Sequence, residues 1–107
     1  MEAAFAHAGD LDDLWEGEML AVTLGTVDLV ICNVEGQVYA YADRCPHLAG
    51  RLSEGTFDGQ LITCAVHEWV FNARGGAGVN PAQACLHRYP ARVIGNEIFV
   101  DLGEASP

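Results

Sequence analysis

Basic residues are scarce in this chain of 107. There are five, all arginine and no lysine, against fifteen acidic residues, for a formal net charge of −10. Such a surface repels a phosphate backbone, which sets nucleic-acid binding aside. Long apolar runs are missing too. No stretch reaches the length of a membrane span, and the N-terminus, Met1-Glu2-Ala3-Ala4-Phe5, lacks the basic run of a secretory signal. A soluble cytoplasmic protein is therefore expected. There is no internal repeat and no low-complexity tract. The cluster Gly75-Gly76-Ala77-Gly78 lacks both the strand–turn–helix setting and the Lys-Ser/Thr pair of a phosphate loop. The length suits one domain, residues 1–107, whose small core would gain from a metal or another staple.

What is present reads as strands. The segment through Ala8 has weak strand character, and Asp10 before Leu11-Asp12-Asp13-Leu14-Trp15 suggests an acidic cap with one or two helical turns. Met19 to Leu24, Leu29 to Val34 and Val38 to Tyr41 are strand candidates, joined by turns at Gly25-Thr26 and Glu35-Gly36. Further strands are expected at Leu61-Ile62-Thr63 and Val70-Phe71. A loose glycine loop then precedes Val79-Asn80-Pro81, and Ala91 to Ile94 and Glu97 to Leu102 flank a Gly95-Asn96 turn. The expected fold class is all-β, an antiparallel sandwich or barrel. A smaller metal-binding subdomain is inserted at roughly 43–77.

That insertion carries the chemistry. Cys45-x-His47 is followed, after sixteen residues, by Cys64-x-x-His67. Two mixed hooks of this kind suit a [2Fe–2S] cluster with thiolates on one iron and imidazoles on the other. Cys45 and Cys64 would hold the first iron, His47 and His67 the second. Thiolate donates strongly and stabilises ferric iron, so the imidazole-bound iron should take the incoming electron. A structural zinc site is the competing reading, but zinc sites usually pair Cys with Cys and His with His. The other cysteines lack hook spacing: Cys32 reads as a reduced strand thiol and Cys85 as a small apolar filler. His7 reads as a surface or packing residue, and nothing demands a site role for His87.

The hooks, together with Leu52-Ser53-Glu54-Gly55, Gly59 through Cys64, Trp69-Val70-Phe71-Asn72, Asn80-Pro81, Cys85-Leu86 and Tyr89-Pro90, resemble the Rieske ferredoxins. Within them, these segments closely resemble the ferredoxin component of toluene 4-monooxygenase-like systems. The resemblance covers residues 9 to 102 and implies a Rieske fold. It also implies a carrier, not itself an enzyme, that takes electrons from an NADH-dependent flavin and iron–sulfur reductase. The recipient would be the diiron hydroxylase of an aromatic-hydrocarbon monooxygenase. No second His/Glu cluster supplies an oxygen-activating site in the chain itself.

Against the high-potential members of the family, Gly50 and Val66 stand where a cysteine pair bridges the cluster. Trp69 stands where a serine bonds its sulfur. With fewer such bonds the potential is expected at the low end, roughly −150 mV rather than +300 mV. Pro46 stiffens the first hook and Gly50 permits a close turn. Trp69 either packs beside the cluster and limits water or is an aromatic anchor of the small domain; by the same resemblance Pro81 belongs to a loop that shields the cluster, while Glu68 either tunes the rim, touches the partner or is simply solvated. The acidity would steer a monomeric carrier toward basic partner patches, or serve solubility alone. A ring-hydroxylating dioxygenase ferredoxin, a nitrite reductase small-subunit-like module and a zinc-stapled binding domain are the alternatives.

Overall fold

A computed structural model describes residues 5–44, 51–65, 68–80 and 84–102. The chain enters as strand β1 (Phe5–Asp10), followed by a single 3-10 turn, Leu11–Asp13. It continues through β2 (Met19–Leu24), β3 (Val27–Val34) and β4 (Gln37–Ala42). After a second 3-10 turn, Leu52–Glu54, come β5 (Thr56–Phe57), β6 (Leu61–Thr63), β7 (Val70–Asn72) and β8 (Gly78–Asn80). The last strands are β9 (Arg88–Tyr89), β10 (Ala91–Ile94) and β11 (Glu97–Asp101). They form three antiparallel sheets, ordered β1-β11-β10, β2-β3-β4-β9 and β5-β6-β7-β8. No helix of the described residues is long and apolar enough to cross a membrane.

The unbroken apolar run in β3 explains the layering. Half-buried strands alternate, whereas a strand covered on both faces reads as continuous hydrophobics. Leu29 and Ile31 point to a core with Ala40, Ile98, Val100 and Leu102, on the side of the first sheet. Val30, Cys32 and Val34 point the other way, to a core with Leu52, Ile62, Cys64, Phe71 and Leu86. One strand thus serves two cores, and the third sheet rests on its second face. The buried Asn33 keeps its amide satisfied: Nδ2 donates to the Leu14 carbonyl at 2.9 Å, and Oδ1 accepts from Gly36 N–H at 2.9 Å. The β3–β4 turn has positive φ at both central residues, Glu35 (52°) and Gly36 (92°), the twist that a two-residue hairpin requires.

Two local expectations are corrected. Asp10 does not cap a helix; the segment makes only the 3-10 turn, with no side-chain cap bond, and Asp10 Oδ1 lies 3.2 Å from His7 Nε2 instead. The glycine stretch before Val79 is a tight hairpin rather than a loose loop. Gly75 and Gly76 take positive φ, and Gly78 opens β8, which pairs with β7. The sequence pattern also left out the two-residue strands β5 and β9.

Candidate metal centre

Of the four proposed ligands, Cys64 is described; Cys45, His47 and His67 lie outside the described residues, as do Pro46, Gly50, Val66 and Pro81. Cys64 follows β6 directly and its side chain is wholly buried in the core between the second and third sheets. Its backbone N–H donates to the Trp69 carbonyl at 2.8 Å, so the segment carrying the second hook is closed on itself. Glu68 sits in that segment with φ at 56°, the left-handed region that reverses a chain quickly. It is exposed. Trp69 is half-buried, packed on the same core, and its ring lies 6.5 Å from that of Phe71.

The first hook is rooted in the end of β4. Asp43, two residues before Cys45, has a fully buried side chain that accepts four hydrogen bonds. Ser53 N–H donates to Oδ1 at 2.8 Å. Ser53 Oγ donates to Oδ2 at 2.6 Å, and Arg51 Nε and Nη2 donate to Oδ2 at 3.1 and 3.0 Å. Desolvating a carboxylate is costly unless it is bonded in this way. Asp43 in turn holds the Arg51 guanidinium more firmly protonated than usual. Gly55 then packs against the second hook: a Cβ there would fall 2.0 Å from the Thr63 carbonyl oxygen and 3.2 Å from Ala65 N.

Tyr41 joins the second and third sheets. Its hydroxyl donates to the Ala73 carbonyl at 2.5 Å and accepts from Gly75 N–H at 2.7 Å. Burial pushes its phenol up to about 12. Sequence reasoning missed Asp43, Gly55 and Tyr41. Their nearness in sequence to the hooks, or their residue type, is a weak signal, because each acts on a partner that only folding brings close.

The remaining cysteines and histidines separate cleanly. Cys32 is buried and reduced, and burial raises its thiol to about 12, which suits core packing and opposes metal binding. Cys85, expected as an apolar filler, is exposed, and its backbone pairs with Ala77 as an isolated bridge. His7 faces Asp10 and Glu97 on the β1–β11 sheet, at 3.2 and 3.6 Å, and its ring meets Phe99 edge-on. The His87 ring lies against Tyr89, with centroids 4.7 Å apart.

A buried thiol at a strand end, with the stem residues Asp43, Arg51 and Ser53 of the other hook clamped together, is a frame suited to a cluster shared between two loops. Residues 4–90 match the Rieske [2Fe-2S] domain family. The chain belongs to that family. The cofactor that goes with it is the Rieske [2Fe-2S] cluster, and the donor set of two cysteines and two histidines suits it. This Rieske domain is 42% identical over 92 residues to the ferredoxin component of the alkene monooxygenase system of Xanthobacter autotrophicus, covering 84% of this chain and 75% of that protein. It is 33% identical over 103 residues to the naphthalene 1,2-dioxygenase ferredoxin component of Pseudomonas aeruginosa, covering 95% and 99%. Among solved structures it resembles a chain in the complex of reduced oxygenase and oxidised ferredoxin of carbazole 1,9a-dioxygenase. That likeness has a TM-score of 0.83 and 29% identity, with 94% of each chain covered. The carbazole 1,9a-dioxygenase ferredoxin of Nocardioides aromaticivorans IC177 gives a TM-score of 0.83 at 26% identity, covering 92% of this Rieske domain and 98% of that ferredoxin.

Proposed function

We propose that this Rieske domain is the one-electron carrier of a hydrocarbon monooxygenase, delivering electrons to a diiron hydroxylase. The observation that carries the reading is the 42% identity to a monooxygenase ferredoxin component. Cys45 and Cys64 hold one iron, His47 and His67 the other, within a cluster-binding subdomain at 43–77 of a single domain, 1–107. When bound, the cluster takes up and releases one electron at a time. The residues around it do the rest. Cys64 and Trp69 close one loop, Asp43 closes the stems of the other, and Trp69 and Pro81 limit water at the centre. The supplier is an NADH-dependent flavin and iron–sulfur reductase, and the carrier works in the cytoplasm as a monomer. Its charge of −10 favours docking on basic patches, with transfer that slows as salt rises.

A second reading, the ferredoxin of a ring-hydroxylating dioxygenase, is favoured by the naphthalene and carbazole dioxygenase relatives. The two separate in one experiment. Reduced protein is mixed anaerobically with a purified diiron hydroxylase and, in parallel, with a Rieske dioxygenase, and its oxidation is followed optically. Fast, salt-sensitive oxidation by the diiron protein alone supports the first reading; preference for the dioxygenase overturns it in favour of the second.

A further inference from the structure

Asp43 is an unusual expense for a small domain. A buried carboxylate seldom adds net stability over an apolar residue of similar size, but it fixes geometry when every lone pair is used. Here the bonds run to particular places. Position 43 is two residues before Cys45, and positions 51 and 53 lie beyond His47, so the carboxylate ties together the two stems of the first hook. Its own backbone is held as well, since Asp43 N–H donates to the Asp28 carbonyl at 3.0 Å. The stem then runs onward through Leu52, which is buried in the core, to Gly55. Gly55 N–H bonds the Leu52 carbonyl at 3.0 Å, and the glycine lies directly on the backbone either side of Cys64. A continuous chain of contacts therefore leads from the root of the first hook, through the Asp43 carboxylate and Ser53, to the root of the second.

We propose that Asp43 is the positioning residue for the cluster. Clamped to Arg51 and Ser53, it sets where the first hook stands relative to the second, and Gly55 transmits that placement to Cys64. The inference rests on Cys45 and His47 being ligands, as proposed above. The clamp also has an electrostatic side. Arg51 is bonded to Asp43, and Nη2 lies 4.0 Å from Asp28 Oδ1, so its positive charge is matched beside the hook. Replacing Asp43 by asparagine keeps an acceptor for Ser53 N–H but leaves Arg51 without its nearest counter-charge, which favours the reduced centre.

The test uses the purified holoprotein and the variants Asp43→Asn, Ser53→Ala, Arg51→Gln and Cys45→Ser. Three readouts are taken: the rate of iron loss to a chelator, the paramagnetic resonance spectrum of the dithionite-reduced protein, and the reduction potential. Asp43→Asn is expected to lose iron at least about tenfold faster, the scale of one charge-assisted hydrogen bond. It should also show shifted g-values and a more positive potential, with the far-ultraviolet circular dichroism of the wild type. Ser53→Ala should move the first two readouts in the same sense. A merely structural clamp would leave the g-values of both variants unmoved, since the lost charge at position 43 can shift the potential by itself. If Asp43→Asn fails to fold, Ser53→Ala and the half-exposed Arg51→Gln decide, and wild-type values in both overturn the proposal. Cys45→Ser is the check on the underlying reading: a Rieske spectrum retained there overturns the ligand assignment, and the clamp's role falls with it.

Discussion

Replacing Tyr41 by phenylalanine isolates the link between the second and third sheets, because the ring stays and only the hydroxyl goes. Two hydrogen bonds are lost, to the Ala73 carbonyl and from Gly75 N–H. Ala73 is fully buried, so water cannot easily take over at its carbonyl, whereas Gly75 is half-buried and can be partly resolvated. Leaving a buried acceptor unmet costs about 1–3 kcal/mol and the second bond about 1 kcal/mol, so the change should destabilise by roughly 2–4 kcal/mol. With an m-value of about 1.5 kcal/mol/M, the urea midpoint should fall by about 1.3–2.7 M. Equilibrium unfolding followed by circular dichroism measures this. Tyr39→Phe is the control, since that hydroxyl meets exposed side chains, Gln37 Oε1 at 2.9 Å and the Arg74 guanidinium, and should cost no more than about 0.5 kcal/mol. A Tyr41→Phe midpoint no lower than that of Tyr39→Phe would refute the reasoning. The same group has a pH signature. Its folded pKa is raised from 10 to about 12, so the neutral phenol's contribution is complete below pH 10 and is lost as pH rises toward 12. Wild-type stability should fall more steeply across that window than that of Tyr41→Phe.

Other outcomes follow from the same geometry. Gly76→Ala should cost about 1–3 kcal/mol, because φ is 83° and the new Cβ would sit 2.9 Å from the Tyr41 ring; Gly75→Ala, at φ 112° but in open space, should cost less by the same unfolding assay. In the native holoprotein Ellman's reagent should titrate Cys85 and spare Cys32, whose thiol is buried and raised to about 12; a signal that survives Cys85→Ser would contradict this. His67→Cys should lower the reduction potential if His67 binds the reducible iron, and a normally assembled cluster of unchanged potential would remove that assignment.

The main sheet was open to sequence reasoning because its information is local. The alternation in β2 and the glycine turns at 25 and 36 marked their elements, and β2 begins and ends where the pattern placed it, Met19–Leu24. Strands of two residues, β5 and β9, carry too few positions to show a period at all. The 3-10 turn after Asp10 was read as longer because acidic first-turn residues favour a helix of either kind, and β2 begins too soon to let one grow. At the candidate centre, the types and spacing of the proposed ligands are visible in sequence. What holds them is not. Asp43 looks like any acid of a loop until Arg51 and Ser53 fold onto it, and the need for glycine at 55 arises only when the Thr63 carbonyl arrives beside it.

The third sheet cannot be its own foundation. Its strands are two and three residues long, and sheets that short do not persist alone in water. Its order is imposed by the second sheet. Ile62 and Phe71 bury against Val30 and Val34, Tyr41 reaches across to Ala73 and Gly75, and at the β3–β4 turn Glu35 accepts Gln60 Nε2 at 3.0 Å and Arg74 Nη2 at 2.6 Å. The Glu35 contacts are exposed and worth little singly, so the core and Tyr41 carry most of the attachment. Asp43 fastens the opposite end of β4, beside the first hook. The strand that bears Tyr41 therefore anchors the third sheet and leads directly into the clamped stem at Asp43. A carrier must present nearly the same geometry before and after it gains an electron, since any rearrangement slows transfer. A third sheet and a hook stem both fastened to one strand meet that demand without needing a large domain around them.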